Sequence, residues 1–167
     1  MKDALNDDAA YLFWILFQQA HLAMSKVRER ELRSLGITPN QATLISIVKQ
    51  LEGDCTPTEI SKRLIRESHT VTELINRVVK MGLIRKEKDS KRKNGVKVVL
   101  TSKGEKVYEQ ITKLSILRRL ISVLPPKQLK YAESFFRILR DNALNELVDI
   151  KNWWIPPQFT DPPYVAY

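Results

Sequence analysis

The 167-residue chain is short of the residue types on which most enzymes and disulfide-stabilised proteins depend. Its one cysteine, Cys55, excludes an intramolecular disulfide and suits a reducing compartment. With two histidines and five glycines, the sequence contains neither a metal-ligand cluster nor a glycine-rich phosphate loop. We therefore expect a protein that is not an enzyme and that uses no metal or other cofactor.

Long hydrophobic runs are also missing. The most apolar stretch, residues 9–24, includes Gln18, Gln19 and His21 and is shorter than the roughly 20 residues that a membrane span needs. The first eight residues carry three Asp and one Lys, which is the wrong sign for a secretory signal. We expect a cytoplasmic protein without a membrane role, in which residues 9–24 belong to a buried interface helix.

The charge is mostly of one sign and is concentrated in one region. The formal net charge is +9, with 28 Lys and Arg against 19 Asp and Glu. Residues 57–106 contain 14 of the basic and 6 of the acidic residues, so this segment alone has a net charge of +8. A local basic footprint of this kind indicates an anionic partner: nucleic acid, a membrane surface or an acidic protein.

Apolar periodicity predicts four helices in the first half of the chain. A helix over about residues 8–35 is apolar on nearly all sides in its first half. Thr38-Pro39 and Thr56-Pro57 each provide an N-cap and a first-turn proline for the next two helices. Ser68 is the expected N-cap of the fourth helix, residues 68–82. A short helix, a tight turn and an amphipathic helix are the arrangement of a helix-turn-helix.

Two short extended segments follow, residues 83–89 and 95–100, and a basic turn that ends in Asn94-Gly95 separates them. Asn-Gly between two β-rich segments is a strong hairpin signal. A basic hairpin directly after a helix-turn-helix is typical of a wing.

Two further helices complete the expected fold. The chain returns to helix at Thr101 or Ser102, where Ser102 and Glu105 can form a capping box, and this helix reaches Pro125. The last helix covers about residues 127–150. The predicted fold class is therefore mainly α: a winged helix-turn-helix, with a three-helix core and a β-hairpin wing, flanked by long N- and C-terminal dimerisation helices. The expected boundaries are 9–148 for the whole domain, 1–36 and 104–150 for the dimerisation helices, 37–103 for the DNA-binding lobe, 84–100 for the wing and 151–167 for an aromatic, proline-rich tail.

The fourth helix presents polar side chains opposite its apolar stripe. Such side chains reach base edges in DNA: Asn pairs with adenine, Glu accepts from cytosine and Thr contacts a thymine methyl group. The alternative is an ordinary solvated face, but the adjoining turn and basic hairpin favour DNA recognition. The candidates are Ser68, His69, Thr70, Thr72, Glu73, Asn76 and Arg77.

Basic side chains elsewhere supply the other candidate DNA contacts. Lys91, Arg92 and Lys93 at the wing tip suit the electronegative minor groove of A·T-rich DNA, although a charge run is often only a solubilising turn. Arg77 has an alternative role, an ion pair with Asp89 or Glu87 that braces the wing. The candidate phosphate contacts are Lys62, Arg63, Arg66 and Lys80.

Several short motifs occur in a fixed order along the chain. They are Gly36-Ile37-Thr38-Pro39-Asn40-Gln41, Thr56-Pro57-Thr58-Glu59-Ile60, His69-Thr70-Val71-Thr72, Met81-Gly82-Leu83-Ile84 and, after Asp89, Leu100-Thr101-Ser102-Lys103-Gly104. In this ordered set the sequence resembles the MarR family of winged helix-turn-helix transcriptional regulators, over about residues 9–148. It departs from the family at Arg92, Lys93 and Asn94, where an acidic residue and two arginines are usual, and at Glu73, where a basic residue is common.

The resemblance implies a sequence-specific transcriptional regulator: a repressor that binds a pseudo-palindromic operator as a homodimer and is released by a small molecule. It also implies an effector pocket, for which Tyr11, Trp14, Phe17 and His21 are candidates if the ligand is aromatic or phenolic; the alternative is that they belong to the dimer core. Cys55 is not expected to sense redox state, because the peroxide-sensing members of the family carry their reactive cysteine early in helix 1. The rival function is a winged-helix adaptor that binds protein and lacks specific DNA binding.

Overall fold

The structure is a computed structural model, and it describes residues 2–51, 53–89 and 95–147. As predicted, the fold is mainly helical with one two-stranded hairpin. The elements in chain order are α1 (Lys2–Leu32), a 3₁₀ turn (Arg33–Leu35), α2 (Pro39–Gln50), α3 (Pro57–Leu64), α4 (Ser68–Lys80), β1 (Ile84–Lys88), β2 (Val96–Leu100), α5 (Ser102–Lys113), α6 (Ile116–Ile121) and α7 (Pro126–Glu146).

The predicted threonine caps of α2 and α3 are confirmed. The Thr38 hydroxyl accepts from the backbone N–H of Gln41 at 3.3 Å, and the Gln41 side chain accepts from the backbone N–H of Thr38 at 2.9 Å. The Thr56 hydroxyl accepts from the N–H of Glu59 at 3.2 Å. These bonds satisfy donors that have no partner inside a helix, so both helices begin at the proline that follows the cap.

One apolar core joins α2, α3, α4 and the hairpin. Each fully buried aliphatic side chain in it contributes about 1.5–3 kcal/mol through the hydrophobic effect. Leu32 of α1 and Ile111 of α5 also enter this core, so the first and fifth helices are packed against the lobe. The core side chains from the lobe itself include Leu44, Ile45, Val48, Ile60, Val71, Ile75, Val78, Leu83, Ile84 and Val98.

The hairpin is antiparallel, with Ile84 opposite Leu100 and Lys88 opposite Val96. Its second strand also pairs with the loop before α3, because the backbone N–H of Val98 donates to the carbonyl of Cys55 at 2.8 Å. The hairpin is therefore attached to the helix-turn-helix along the base of its second strand.

The prediction of one continuous helix from about residue 102 to Pro125 is wrong. The helix ends at Lys113, Leu114 is extended with φ −66° and ψ 133°, and α6 begins at Ile116. The carboxylate of Glu31 on α1 accepts from the backbone N–H of Ile116 at 2.9 Å. A contact between distant parts of the chain thus stabilises a break that no local glycine or proline marks.

Two expected helix caps are also wrong. Glu67, not Ser68, occupies the N-cap position of α4, and Ser68 is the first helical residue. At α5 the cap is Thr101, whose hydroxyl accepts from the N–H of Gly104 at 3.0 Å. Glu105, expected in a capping box with Ser102, instead forms an ion pair with Lys49 of α2 at 3.2 Å.

Within a single chain, α1 is largely exposed, so its expected burial in an interface stays a prediction. Tyr11 is 65% exposed and Leu16 is 64% exposed. Tyr131 and Phe136 on α7 are exposed as well, so two helices present apolar faces to solvent. Among the described residues, no helix has the length and hydropathy of a membrane span.

Candidate nucleic-acid interface

Helix α4 separates its apolar and polar side chains as predicted. Val71, Leu74, Ile75 and Val78 are buried in the core of the lobe. The opposite face is open to solvent, and all the candidate base-reading residues lie on it. Thr70 is half-buried, and the exposed members are Ser68, His69, Thr72, Glu73, Asn76 and Arg77.

The C-terminal end of α4 is bound directly to the start of α5. The Thr101 hydroxyl donates to the carbonyl of Gly82 at 2.7 Å, and the Lys103 ammonium donates to the carbonyl of Met81 at 2.9 Å. Gly104 lies so close to the backbone carbonyl of Leu83 that a Cβ atom at this position would collide with it. The direction in which α4 points is therefore coupled to the direction of α5.

Side chains on the outer face of α4 form hydrogen bonds to each other and to the hairpin. Arg77 pairs with Glu73 at 3.4 Å, in place of the ion pair with Asp89 or Glu87 that was an alternative from sequence. The contact that connects α4 to the hairpin comes from Lys86 of β1, whose ammonium donates to Oδ1 of Asn76 at 2.7 Å. The role of Lys86 was not predicted from the sequence. Alternation along a strand places Lys86 and Lys88 on the same face of β1, but it does not say which face of the strand meets α4.

A polar cluster lies at the turn end of the hairpin, where Asp89 follows β1 and Gly95 precedes β2. Asp89 is buried, its backbone N–H donates to the carbonyl of Gly95 at 2.8 Å, and its carboxylate lies 3.6 Å from the Lys97 ammonium. Lys97 also lies 3.6 Å from a carboxylate oxygen of Asp54, in the loop between α2 and α3. The pair of Lys97 with Asp54 connects the hairpin to the lobe, whereas the pair of Lys97 with Asp89 lies within the hairpin. The wing-tip candidates Lys91, Arg92 and Lys93 lie outside the described residues.

The four candidate phosphate contacts are in different environments. Arg66 is exposed and donates to Oδ1 of Asn40 at 3.4 Å, and Lys80 is exposed at the end of α4. Lys62 is half-buried, 3.6 Å from Glu59. Arg63 requires a correction: its side chain is 3% exposed and forms a 2.6 Å ion pair with Glu59, so it faces the protein and not a phosphate.

The four candidate effector residues lie on one aromatic surface of α1. The ring of Phe17 lies 5.9 Å from that of Trp14, 6.4 Å from that of His21 and 6.0 Å from that of Phe136 on α7, measured between ring centres. Tyr11 and Trp14 are exposed, so in a single chain this surface is open and does not enclose a pocket. A separate open depression of about 250 Å³ lies between α2, β2 and α5.

Cys55 is buried in the core between α2 and α3. Burial disfavours the charged thiolate and raises the pKa of Cys55 to about 12. Reactive cysteines have lowered pKa values and are accessible to oxidants, so this environment is the opposite of a redox sensor's.

The amino-acid sequence of the lobe matches a known protein family. Residues 35–93, which contain the helix-turn-helix and the first strand of the hairpin, match the model of the MarR family. The predicted resemblance to the MarR family is confirmed. No curated protein sequence matches the chain.

Solved structures extend the MarR-type likeness beyond the lobe. The organohalide-sensing regulator RdhR-CbdbA1625, in its 2,4-dichlorophenol-bound form, is 23% identical with a TM-score of 0.77, over 87% of this chain and 86% of its own. The MarR family regulator AbsC from Streptomyces coelicolor is 18% identical with a TM-score of 0.76, over 81% and 94%. MepR of S. aureus, in a complex with DNA, is 21% identical with a TM-score of 0.71, over 77% and 94%. At these identities the likeness establishes the fold, including the long helices that flank the lobe.

Proposed function

We propose that this chain is a transcriptional regulator of the MarR type that acts in the cytoplasm and binds a pseudo-palindromic operator as a homodimer. The observation that carries the proposal is the polar outer face of α4, which lies beside a basic hairpin and contacts it through Lys86. In this proposal residues 37–103 are the DNA-binding lobe, and residues 1–36 and 104–150 are the dimerisation helices.

The lobe has the parts that a helix-turn-helix needs on a duplex. The outer face of α4 enters the major groove, where its polar side chains reach base edges. Arg66 and Lys80 are exposed cations at the two ends of α4, so they are placed to contact the phosphates on either side of the groove. The wing tip, with Lys91, Arg92 and Lys93, then follows the adjacent minor groove. The similar MepR structure was determined in a complex with DNA.

Exposed apolar side chains on α1, on α7 and in the loop that precedes α7 support the homodimer. Soluble monomers rarely expose contiguous apolar patches of more than a few hundred Å². A second copy covers these helices and sets the distance between its own recognition helix and that of the first chain. The large exposed side chains involved are Tyr11, Leu12, Phe13, Trp14, Leu16, Leu22, Val123, Leu124, Tyr131, Phe135, Phe136, Ile138 and Leu139.

The same aromatic surface supports release of the operator by a small aromatic or phenolic effector. The exposed ring of Trp14, with Phe17 and Phe136 beside it, gives a phenolic ring an aromatic face on which to stack. The similar regulator RdhR-CbdbA1625 was solved with 2,4-dichlorophenol bound. A ligand wedged between α1 and α7 shifts the dimerisation helices, and the junction of Thr101 with Gly82 transmits that shift to α4. The regulator is then a repressor that the ligand releases.

The DNA-binding proposal is tested by fluorescence anisotropy on DNA from upstream of the protein's own gene and on a scrambled duplex, across a salt series. Binding to the upstream duplex that survives salt concentrations which release the scrambled duplex supports a specific regulator. Equal, salt-sensitive binding to both leaves only a basic protein at this promoter. Absence of binding to either duplex favours the adaptor function.

The dimer is tested by light scattering on the size-excluded protein. Leu16→Glu places a charge in the exposed apolar surface of α1, and Gln19→Glu is its control at an exposed polar position of the same helix. We expect a dimeric wild type and a dimeric Gln19→Glu variant, and a monomeric Leu16→Glu variant. A wild type that is monomeric at all protein concentrations contradicts the proposed dimer.

A further inference from the structure

We infer that Lys86 and Asn76 form one two-donor unit that reads guanine in the major groove. This inference rests on the DNA-binding function proposed above and names the base that one part of the interface recognises. Asn76 lies on the exposed face of α4, and Lys86 lies on β1 with its ammonium 2.7 Å from Oδ1 of Asn76. The ammonium therefore reaches the surface of the recognition helix from outside that helix.

An unpartnered asparagine is suited to adenine. Its Oδ1 accepts from the adenine amino group at N6, while its amide nitrogen donates to N7. Both hydrogen-bonding groups on the major-groove edge of adenine thus have a partner. This bidentate pair was the expectation for Asn76 from the sequence alone. It requires an oxygen that is available to a donor on the base.

Lys86 changes which groups of Asn76 are available. The Oδ1 atom already accepts a hydrogen bond from a positively charged donor at short range. An adenine amino group that approaches the other lone pair of this oxygen meets the ammonium as a competing donor. The groups left facing the groove are the amide N–H of Asn76 and the remaining N–H groups of Lys86, which are all donors.

Guanine is the base whose major-groove edge accepts two hydrogen bonds, at N7 and O6. The amide of Asn76 supplies one donor and the ammonium of Lys86 supplies the second, so the pair does together what a single arginine does elsewhere. Lys86 thus brings a cation from the hairpin to the exposed face of α4.

Stability of the fold does not account for this contact. Both side chains are exposed, and a hydrogen bond between exposed groups adds little to the free energy of folding, because water replaces either partner. A purely structural contact can therefore be lost without any change in the preferred base. Base preference is the readout that separates the two roles.

The test is selection from duplex DNA with a randomised central segment, using the full chain and four variants. Asn76→Ala identifies the base pair that Asn76 contacts, because it is the one position in each half-site at which this variant loses the base preference of the wild type. Lys86→Met removes the ammonium and keeps the length of the side chain, whereas Lys86→Arg keeps a charged donor. Lys88→Met is the matched control, because Lys88 is exposed on the same face of β1.

At the Asn76-dependent position we expect wild type, Lys86→Arg and Lys88→Met to select guanine. Anisotropy on the selected duplex should show about a tenfold preference for G·C over A·T at that position, which is the lower end for a bidentate contact. Lys86→Met should shift the preference to adenine. Circular dichroism and the melting temperature check that each variant is folded.

Three results would overturn the inference. Adenine at the Asn76-dependent position in the wild type excludes the two-donor unit, and so does guanine retained in Lys86→Met. If the wild type selects guanine and Asn76→Ala has the same base preferences, another residue recognises the guanine. Enrichment of no sequence by the wild type is a different result, because it overturns the proposed regulator itself together with this inference.

Discussion

The carboxylate of Glu31 in α1 accepts a hydrogen bond at 2.9 Å from the backbone N–H of Ile116, which is 85 residues further along the chain. The same carboxylate forms a 2.6 Å ion pair with Arg28, and both side chains are largely shielded from solvent. Glu31 thus serves as a cap for α6 that is supplied by another helix. It also fixes the point at which the chain turns from the lobe toward α7.

Removing this cap should destabilise the protein. Glu31→Ala leaves the N–H of Ile116 without its acceptor and Arg28 without its partner, and we expect the free energy of unfolding to fall by about 1–3 kcal/mol. Urea unfolding at a fixed protein concentration measures the change. Glu29→Ala, at an exposed position of the same helix, should shift it by less than about 0.5 kcal/mol. Equal shifts for the two variants would contradict the capping role.

Gly104 should tolerate no side chain. A methyl group at this position would collide with the backbone carbonyl of Leu83, so either the start of α5 or the end of α4 must move. We expect Gly104→Ala to reduce the free energy of unfolding by about 1–3 kcal/mol and to weaken DNA binding in the fraction that remains folded. Ser102→Ala, at an exposed position two residues earlier, is the control. If Gly104→Ala leaves the free energy of unfolding and the DNA affinity unchanged, the close contact between Gly104 and Leu83 does not constrain the position of α5.

Ile65 is a strained residue at the turn of the helix-turn-helix. Its φ of +51° is left-handed, a conformation that costs about 1–2 kcal/mol in a residue with a Cβ atom and that suits branched side chains least. Because its side chain is 47% exposed, replacement loses little buried area. Ile65→Asn should therefore raise the melting temperature, since asparagine adopts this conformation more readily. Ile65→Val keeps the branched Cβ and should give no gain; a higher melting temperature for valine than for asparagine would contradict the strain.

Cys55 should make stability depend on pH in the alkaline range. Its pKa rises from 9.0 to about 12 on burial, so above pH 9 the unfolded chain loses this proton first and the free energy of unfolding falls as the pH rises. Between pH 9 and pH 10 the loss attributable to Cys55 should be about 1 kcal/mol, measured as the difference between wild type and Cys55→Ala. A constant difference across that range would mean that the thiol is accessible to water in the folded protein.

The parts of the fold that were predictable are those that a local pattern determines. The stripe of Val71, Leu74, Ile75 and Val78 has the spacing of one helix face, and burying it leaves the polar face outward whatever else the chain does. The caps at Thr38 and Thr56 depend on residues three positions apart, and both are present as expected. Local chemistry was sufficient for these elements.

Several of the features that were missed depend on contacts between distant residues. The break at Leu114 accompanies a cap from Glu31, and the contact of Lys86 with Asn76 depends on how the hairpin packs against α4. Arg63 forms its ion pair with Glu59 on the same helix, but the spacing of the two residues did not show that the Arg63 side chain is buried. The sequence around each of these residues is that of an ordinary helix interior or of a lysine or arginine exposed to solvent. Only the three-dimensional arrangement distinguishes an anchoring cation from one that faces a ligand.

The bonds from Thr101 to Gly82 and from Lys103 to Met81 close the chain into a ring that contains the whole hairpin. The relative position of α4 and α5 is set at this closure, so it does not depend on how many residues the ring contains. The hairpin can therefore gain or lose residues at its tip without changing the angle between the two helices. In the proposed regulator, the reach of the wing along the minor groove and the spacing of the two recognition helices can therefore diverge independently in evolution.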